Sequence, residues 1–305
     1  TDMDMAIPMN SGAEAVETAI KAMRLWGYKT KNIPENSAEI LVASQNFHGR
    51  TTTIVSFSSE AEYKEHFGPL TGGFTTIPYG DAAALRSAIG PNTAGFLVEP
   101  IQGESGIVVP PDGYMADIRE ICTQHQILLA VDEIQTGLGR TGALLACDHD
   151  KTRPDLLMLG KALSGGVYPV SACLGTRDVM GLFKPGMHGS TYGGNPLASA
   201  VGMAALDVIT DECLPTKAAL QGARLMEALT TLNSPHIQEV RGKGLMIGVE
   251  LNGPARPFCE TLMAEHQILV KETHENVIRI APPLVIDEGQ MTLLIDGLRS
   301  ILSKP

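Results

Sequence analysis

Residues 156–166 read Leu-Leu-Met-Leu-Gly-Lys-Ala-Leu-Ser-Gly-Gly. The four apolar residues at the start predict a short strand, and Lys161 follows that strand at the head of a glycine-rich turn. Apolar groups and glycines around a lysine remove its solvation, which lowers the pKa of the amine and frees it for Schiff-base chemistry. Lys161 is therefore a candidate catalytic amine.

Strand and helix patterns alternate on the N-terminal side of this lysine. From Met5 to about Leu159 the alternation predicts an α/β domain with a mainly parallel sheet. Two helix patterns follow, and then shorter strand and helix patterns that predict a smaller α+β unit. We therefore expect a large domain over residues 1–206 and a small domain over residues 207–305. Strands of the small domain are predicted at Leu245–Leu251, Ile268–Lys271 and Val277–Ile280.

The composition fits a globular protein with room for two domains, since 44% of the 305 residues are hydrophobic and 19% are charged. The net charge is −11 and no basic run is present, so we expect no nucleic acid as a partner. No apolar run has the length of a membrane span, so we expect no membrane attachment. The chain starts with Thr1 and enters an apolar stretch at once, so we expect an N-terminal part to be missing.

The cysteines are five in number and widely spaced, which indicates reduced thiols and not a disulfide framework. Reduced thiols are typical of a reducing compartment, so we expect a cytoplasmic protein. The five residues are Cys122, Cys147, Cys173, Cys213 and Cys259.

Two patterns resemble sites of other enzyme classes but lack the residues or the context that those sites need. Residues 137–142 have the glycine spacing of a dinucleotide fingerprint, but residues 133–136 separate them from the preceding strand and no helix pattern follows. Gly160-Lys161 is not a phosphate-binding P-loop, because Ala162 replaces the required Ser or Thr and Asp155 replaces the leading glycine. The histidines show no metal-ligand spacing, so we expect no metal site.

The first helix begins with a pattern that suits an anion. Ser11 and Glu14 are spaced as a capping box ahead of a helix that we expect over residues 15–26. The first helical amides stay free, and the helix dipole favours a phosphate or a carboxylate beside them. A well-capped helix without any ligand shows the same pattern, so this segment alone leaves both interpretations open.

Polar groups also follow the ends of predicted strands. Asp132 ends a continuous apolar strand, Phe47, His48 and Arg50 follow another strand, and Glu104 lies in a loop with glycines on both sides. The carboxyl ends of strands in open α/β sheets are the edge where ligands bind. Each residue alone has an ordinary explanation, because phenylalanine is usually core and arginine is usually solvated.

Pyridoxal 5′-phosphate (PLP) needs four kinds of group from a protein. These are a lysine for the imine, a carboxylate that keeps the pyridine nitrogen protonated, amides for the phosphate and an aromatic ring to stack on the cofactor. Lys161, Asp132, the turn at residues 11–13 and Phe47 match these needs. Because all of them lie at strand ends in one predicted sheet, the sequence predicts a PLP site.

Six motifs resemble those of the class III (ω-amino acid) aminotransferases, from Met9 to about Pro283. The resemblance implies a fold type I PLP-dependent transferase, in which helices sandwich a mainly parallel sheet and a smaller C-terminal α+β domain follows. It also implies a family segment ahead of Thr1. The motifs are Asn10-Ser11-Gly12-Ala13-Glu14-Ala15, Phe47-His48-Gly49-Arg50-Thr51, Glu99-Pro100-Ile101-Gln102-Gly103-Glu104, Asp132-Glu133-Ile134-Gln135-Thr136-Gly137, Gly160-Lys161-Ala162 and His188-Gly189-Ser190-Thr191-Tyr192-Gly193-Gly194-Asn195-Pro196.

The resemblance assigns roles residue by residue. It implies that Lys161 forms the imine and moves the proton, that Asp132 pairs with the pyridine nitrogen and that Gln135 binds the ring hydroxyl. Arg279 would bind the α-carboxylate of glutamate or 2-oxoglutarate through a bidentate fork, and Arg50 the distal carboxylate. The cofactor-binding residues that it implies are Ser11, Gly12, Ala13, Phe47, His48, Asp132, Gln135, Lys161, Ser190 and Thr191.

The activity that the resemblance implies is transfer of the δ-amino group of L-ornithine to 2-oxoglutarate, giving glutamate 5-semialdehyde and glutamate. N-acetylornithine or another ω-amino acid as the donor would use the same motifs, and a non-catalytic PLP-binding relative is a third possibility. The implied partners are an amino acid, a 2-oxo acid and a second copy of the chain. In the implied homodimer the active sites are shared, because Thr191 reaches the phosphate of the other subunit.

Glu104 indicates how one arginine could serve two substrates. We hypothesise that Glu104 pairs with Arg279 while the amine donor is bound and swings away when 2-oxoglutarate needs the arginine. The loop Gly103-Glu104-Ser105-Gly106 has the glycines of a loop that can move.

Overall fold

The computed structural model describes residues 2–303, which form two compact units. Two short stretches, Ile101–Val109 and Thr136–Ala146, belong to the second unit, although most of that unit lies after residue 207. No local sequence pattern marks these two stretches. The domain limits expected from the sequence therefore stay a prediction. The first unit comprises the chain up to Pro100, Pro110–Gln135 and Cys147–Asp207, and the second comprises Ile101–Val109, Thr136–Ala146 and the chain from Val208 onward.

The first unit is built on a seven-stranded sheet. Several of its strands are continuous apolar runs whose residues are all buried, as is typical of strands that are covered on both faces. The strands are β1 (Met5–Met9), β2 (Glu39–Ala43), β3 (Phe74–Ile77), β4 (Thr93–Val98), β5 (Leu128–Asp132), β6 (Leu156–Leu159) and β7 (Ser171–Gly175).

The strand order is β1-β7-β6-β5-β4-β2-β3. From β6 to β3 all neighbours are parallel, whereas β7 pairs antiparallel with both β6 and β1. The predicted mainly parallel sheet is therefore confirmed. The sequence patterns missed β7, because Ser-Ala-Cys-Leu-Gly is short and holds only one large apolar side chain.

Helices cover both faces of this sheet, as expected. Val42 packs on one face with helix α1 (Gly12–Lys29), whereas its neighbour Leu41 packs on the other face with α4 (Tyr114–Gln124). Successive residues of a strand point to opposite faces, so one apolar run fills two cores. The remaining helices are α2 (Thr52–Val55), α3 (Ala82–Ala88), α5 (Arg177–Met180) and α6 (Pro196–Asp211), and 3₁₀ turns lie at Ala61–Tyr63, Ala146–Asp150 and Lys161–Ser164.

The second unit holds a four-stranded antiparallel sheet and three helices. The strand predicted at Ile268–Lys271 was placed too early and begins at Lys271, because Gln267 ends a helix with a left-handed φ of 58° and Ile268 is buried in the connection that follows. The patterns also missed the first strand, whose residues are partly exposed and mostly polar. The elements are α7 (Leu214–Thr230), β8 (Ile237–Lys243), β9 (Met246–Leu251), α8 (Arg256–His266), β10 (Lys271–Thr273), β11 (Val277–Ile280) and α9 (Glu288–Leu302), with the strand order β10-β11-β9-β8.

No helix within residues 2–303 is both long and apolar enough to cross a membrane. No group of three or more His, Cys, Asp or Glu side chains in the same range could hold a metal ion. All five cysteines are free, and only Cys213 is exposed.

Candidate functional site

The turn before α1 offers two backbone amides to an anion. The predicted capping box is confirmed, since the Ser11 hydroxyl accepts from the Glu14 amide at 3.3 Å and the Glu14 carboxylate accepts from the Ser11 amide at 2.7 Å. The helix begins at Gly12, ahead of the predicted start. The amides of Gly12 and Ala13 make no hydrogen bond to any of residues 2–303. Two such amides at a helix N-terminus suit a phosphate.

Ser190 lies against this turn. Its hydroxyl accepts from Nδ2 of Asn10 at 2.8 Å and donates to Oε1 of Glu14 at 3.3 Å. Burial opposes the charge of Glu14, but hydrogen bonds from Asn10 and Ser11 outweigh it and lower the pKa of the carboxyl. Ser171 on β7 donates to the Ser11 carbonyl at 2.6 Å and so fixes the turn from the sheet. The sequence patterns missed Ser171 together with its strand.

Asp132 and His48 form a buried pair at the end of β5. Nδ1 of His48 donates to Oδ2 of Asp132 at 2.7 Å, and the Ile134 amide donates to Oδ1 at 3.0 Å. The His48 side chain is fully buried, and 5% of the Asp132 side chain is exposed. Burial opposes a charge on His48, but the hydrogen bond and charge of Asp132, with the charge of Glu99, raise the pKa of the ring. Both carboxylate oxygens of Asp132 are thus fixed.

Lys161 lies at the same edge of the sheet as Asp132, because β5 and β6 are parallel neighbours with Asp132 opposite Met158. The expected loss of solvation at Lys161 is wrong for this chain, since the residue is exposed. The strand itself is buried, but the chain leaves the sheet at Gly160 and carries the lysine out of the core. Lys161 also has a φ of 43°, which costs a non-glycine residue about 1–2 kcal/mol.

Phe47 and Arg50 form an aromatic and cationic cluster with Tyr63. The Phe47 amide donates to the buried Glu99 carboxylate at 3.1 Å, and the Phe47 ring meets Tyr63 edge-on with 6.1 Å between centroids. The Arg50 guanidinium lies 4.3 Å from the Tyr63 ring centre and 6.0 Å from that of Phe47. Arg50 is exposed and makes no hydrogen bond to any described residue, so its donors can reach a carboxylate. No pattern in the sequence pointed to Tyr63.

Gln135 and Thr191 are two further predicted cofactor-binding residues, and each lies close in the chain to another one, Asp132 or Ser190. Gln135 is partly exposed in the turn after β5, and Thr191 is exposed one residue beyond Ser190. Their predicted roles on the ring hydroxyl and on the phosphate of a second subunit stay predictions. The same holds for His48, whose ring the structure places on Asp132.

The second unit pairs the two residues that the sequence analysis assigned to a switch. Nη1 of Arg279, on β11, donates to Oε1 of Glu104 at 2.5 Å. Both side chains are partly open to solvent, with 28% of Glu104 and 19% of Arg279 exposed. Arg241 and Thr273 donate to backbone carbonyls of the loop that carries Glu104. The sequence patterns missed both of these donors, and the loop that we expected to move is tethered at its backbone.

Comparison with known proteins places these observations in context. A family model described as aminotransferase class-III matches residues 1–302. The ornithine aminotransferase of Bacillus anthracis is 54% identical over 303 residues, which cover 99% of this chain and 76% of that relative.

Solved structures are similar over nearly the whole chain. An ornithine aminotransferase from Toxoplasma gondii, crystallised with oxidised glutathione and partially occupied by PLP at its active site, has a TM-score of 0.96 and 45% identity, covering 98% of this chain and 72% of its own. The acetylornithine aminotransferase of Elizabethkingia anophelis has a TM-score of 0.89 and 49% identity, covering 98% of this chain and 75% of its own.

Proposed function

Because this chain belongs to the class-III aminotransferases, we propose that it transfers the δ-amino group of L-ornithine to 2-oxoglutarate, giving glutamate 5-semialdehyde and glutamate. The observation that carries the proposal is the pair between Glu104 and Arg279. An arginine that can bind a carboxylate, beside a carboxylate that can neutralise it, suits an enzyme whose amine donor and 2-oxo acid differ in charge.

The residues of the first unit fit PLP, which is the cofactor of this family. When bound, PLP supplies a carbonyl for the amine and a protonated pyridine ring that draws electrons from the reacting carbon. The free amides of Gly12 and Ala13 would hold its phosphate. Asp132, held through both oxygens, would keep the pyridine nitrogen protonated. Phe47 is the ring proposed to stack on it.

Lys161 is the proposed base of the reaction. It is exposed and follows β6 at the same edge of the sheet as Asp132. Nζ would take a proton from the δ-carbon of ornithine and donate a proton to the carbonyl-derived carbon of the cofactor later in the same half-reaction, as general acid–base catalysis requires. The strained backbone at Lys161 is typical of residues that a fold holds for function.

Two arginines are the proposed anchors of the 2-oxo acid. Arg279 would bind the α-carboxylate of 2-oxoglutarate through its planar fork, and Arg50 the distal carboxylate. While ornithine is bound, Glu104 would stay on Arg279 and neutralise it. Glu104 thereby directs the δ-amine, and not the α-amino acid end, to the reaction.

We also propose a homodimer in the cytoplasm. The first unit exposes large apolar side chains shortly after Thr191 in the chain, among them Tyr192 at 69%, Leu197 at 56% and Met203 at 65%, and a second copy would cover such side chains. Thr191 would then bind the phosphate of the other subunit. The free cysteines support a reducing compartment.

The test is an assay of the full-length protein, loaded with PLP, with 2-oxoglutarate as the acceptor. We expect kcat/KM to be at least about tenfold higher with L-ornithine than with N-acetylornithine, a difference of about 1.4 kcal/mol. The reverse preference would make it an acetylornithine aminotransferase, the alternative that the 49% identity to the Elizabethkingia enzyme favours. Absence of transfer from either donor would refute the proposal.

Lys161→Ala tests the proposed base, and we expect this variant to abolish transfer. Lys151→Ala provides the comparison, because Lys151 is also exposed and also has a left-handed φ, of 52°. Transfer by Lys151→Ala should equal that of the unmodified protein.

A further inference from the structure

The loop that carries Glu104 is held at its backbone on both sides of that residue. The amides of Gln102 and Val108 each donate to the carbonyl of the other, at 3.1 and 3.0 Å, and close the loop at its base. The Thr273 hydroxyl donates to the carbonyl of Glu104 itself. These hydrogen bonds hold the backbone of Glu104 in place.

Arg241 holds the other side of this loop. Its Nη2 donates to the Gly106 carbonyl at 2.8 Å, and its Nε donates to the carbonyls of Gly106 and Ile107 at 3.1 Å each. Its Nη1 binds the carboxylates of Glu239, at 2.6 Å, and Glu250. All three guanidinium nitrogens are engaged, and only 16% of the side chain is exposed. A planar guanidinium held at every nitrogen has little freedom to shift.

The loop also lacks room to move towards the sheet. A Cβ added at Gly106 would lie 3.2 Å from Nη2 of Arg241 and 3.3 Å from Val277, so its backbone already touches β8 and β11. Ile107 is fully buried. The carboxylate of Glu104, in contrast, is partly exposed.

We propose that Arg241 is a positioning residue for the Glu104–Arg279 pair. By fixing the loop, it makes Glu104 leave and regain Arg279 through rotation of its own side chain, without movement of the loop. Such a rotation takes picoseconds to nanoseconds, so it need not limit turnover. The inference rests on the proposed function, because the pair matters only if Arg279 binds Glu104 and a substrate carboxylate in turn.

Replacing Arg241 should therefore affect the choice between δ- and α-transfer in the same direction as replacing Glu104, but less strongly. A loop freed at Gly106 and Ile107 would no longer hold the Glu104 carboxylate opposite Arg279. Arg279 would then be available to the α-carboxylate of ornithine, and this binding mode would present the α-amino group to the reaction. A misplacement of about 1 Å can cost about 100-fold in rate.

The experiment compares Arg241→Gln with the unmodified holoenzyme in the half-reaction with L-ornithine. We expect the ratio of δ-transfer to α-transfer to fall about 10- to 100-fold. Arg256→Gln is the matched control, because Arg256 also binds two carboxylates of the second unit, Glu260 and Glu272, but is exposed. That variant should keep the ratio.

A second measurement does not depend on the amine donor. Glutarate is titrated into each holoenzyme as a dicarboxylate that competes with Glu104 for Arg279. We expect it to bind Arg241→Gln several-fold more tightly, since a misplaced Glu104 competes less well. Thr273→Val, which removes one hydrogen bond at nearly constant volume, should shift both readouts in the same direction and replaces Arg241→Gln if that variant does not fold.

The double variant Glu104→Gln, Arg241→Gln distinguishes positioning from general support. If Arg241 acts through Glu104, adding Arg241→Gln to Glu104→Gln should change neither readout further. Additive losses, or an unchanged transfer ratio and glutarate affinity in both Arg241→Gln and Thr273→Val, would overturn the inference. An unmodified enzyme that is inactive with ornithine would refute the proposed function instead, and the glutarate titration would still test Arg241.

Discussion

Two acid–base pairs, one in each unit, have similar lengths but opposite surroundings. His48 and Asp132 are 2.7 Å apart with 0% and 5% of their side chains exposed, whereas Glu104 and Arg279 are 2.5 Å apart with 28% and 19% exposed. Removing one partner of a buried pair typically costs about 3–5 kcal/mol, whereas a solvent-exposed pair contributes about 0–1 kcal/mol. The first pair is therefore suited to stay closed, and the second is suited to open.

The way each carboxylate is held agrees with this difference. Asp132 is fixed at both oxygens of its side chain, by His48 and by the Ile134 amide. Glu104 is fixed at its main-chain carbonyl, by Thr273. Hydrogen bonds to the head group hold the Asp132 carboxylate in one place, whereas hydrogen bonds to the backbone alone leave the Glu104 side chain able to rotate about its own bonds.

Asp132→Asn should have the largest effect, because it removes the anion from the closed pair. We expect the free energy of unfolding of the apoprotein to fall by about 3 kcal/mol, measured with urea. Transfer by the PLP-loaded variant should fall at least about 100-fold, since an amide cannot keep the pyridine nitrogen protonated. Asp148→Asn is the control, because Asp148 pairs with the exposed Arg153, and a loss of stability equal to that of Asp132→Asn would contradict the contrast.

Glu104→Gln should have a large effect on selectivity and a small one on stability. We expect the ratio of δ- to α-transfer from ornithine to fall about 10- to 100-fold, because Arg279 is no longer neutralised. The free energy of unfolding should change by less than about 1 kcal/mol, since the pair is partly solvated. Product analysis and urea unfolding measure the two quantities, and an unchanged regiospecificity would show that Glu104 is no switch.

The sequence predicted the residues of these pairs better than their surroundings. The capping box of Ser11 and Glu14 was predictable because its two members are three residues apart on one helix. The contact between Arg241 and Gly106 spans 135 residues, and no local pattern announces it. The hydrogen bond between His48 and Asp132 likewise joins residues that are 84 positions apart.

The error at Lys161 has the same origin. The apolar residues before it correctly predicted a buried strand, but burial of a strand does not extend to the residue that follows it. Where the chain leaves the sheet depends on its neighbours in space. The motifs of a known family summarise such long-range contacts, which periodicity cannot do.

The contribution of the buried pair, His48 and Asp132, to the free energy of unfolding should depend on pH. The folded-state pKa of His48 is raised above its ordinary value of 6.5, so its contribution is fully present below pH 6.5 and is lost as the pH rises through the folded-state pKa. We expect the difference in unfolding free energy between the unmodified protein and His48→Gln to shrink above pH 6.5, by at most about 1.4 kcal/mol per pH unit. Urea unfolding between pH 6 and pH 9 measures it, and a difference that grows with pH would contradict the assignment.

A second histidine, His188, should show the opposite sign, because burial and a neighbouring cation outweigh the charge of a neighbouring carboxylate. Thr18 donates its hydroxyl proton to the Glu14 carbonyl at 2.7 Å, so its oxygen accepts from Nε2 of His188 at 2.8 Å. Nδ1 of His188 then accepts from Nζ of Lys21 at 2.9 Å. Burial and the charge of Lys21 lower the pKa of His188, against the opposing charge of Glu17. The ring is thus held in its neutral form.

The contribution of His188 is therefore present above its ordinary pKa of 6.5 and is lost as the pH falls from there through the lowered folded-state pKa. Lys21→Met should reduce this loss, so the unfolding free energy of the unmodified protein should fall more steeply between pH 7 and pH 5 than that of the variant. Because solvent screens this partly exposed pair, we expect a difference below about 1 kcal/mol. Lys29→Met, at the C-terminal end of the same helix, should keep the slope of the unmodified protein, and equal slopes for all three proteins would show that Lys21 does not set the charge of His188.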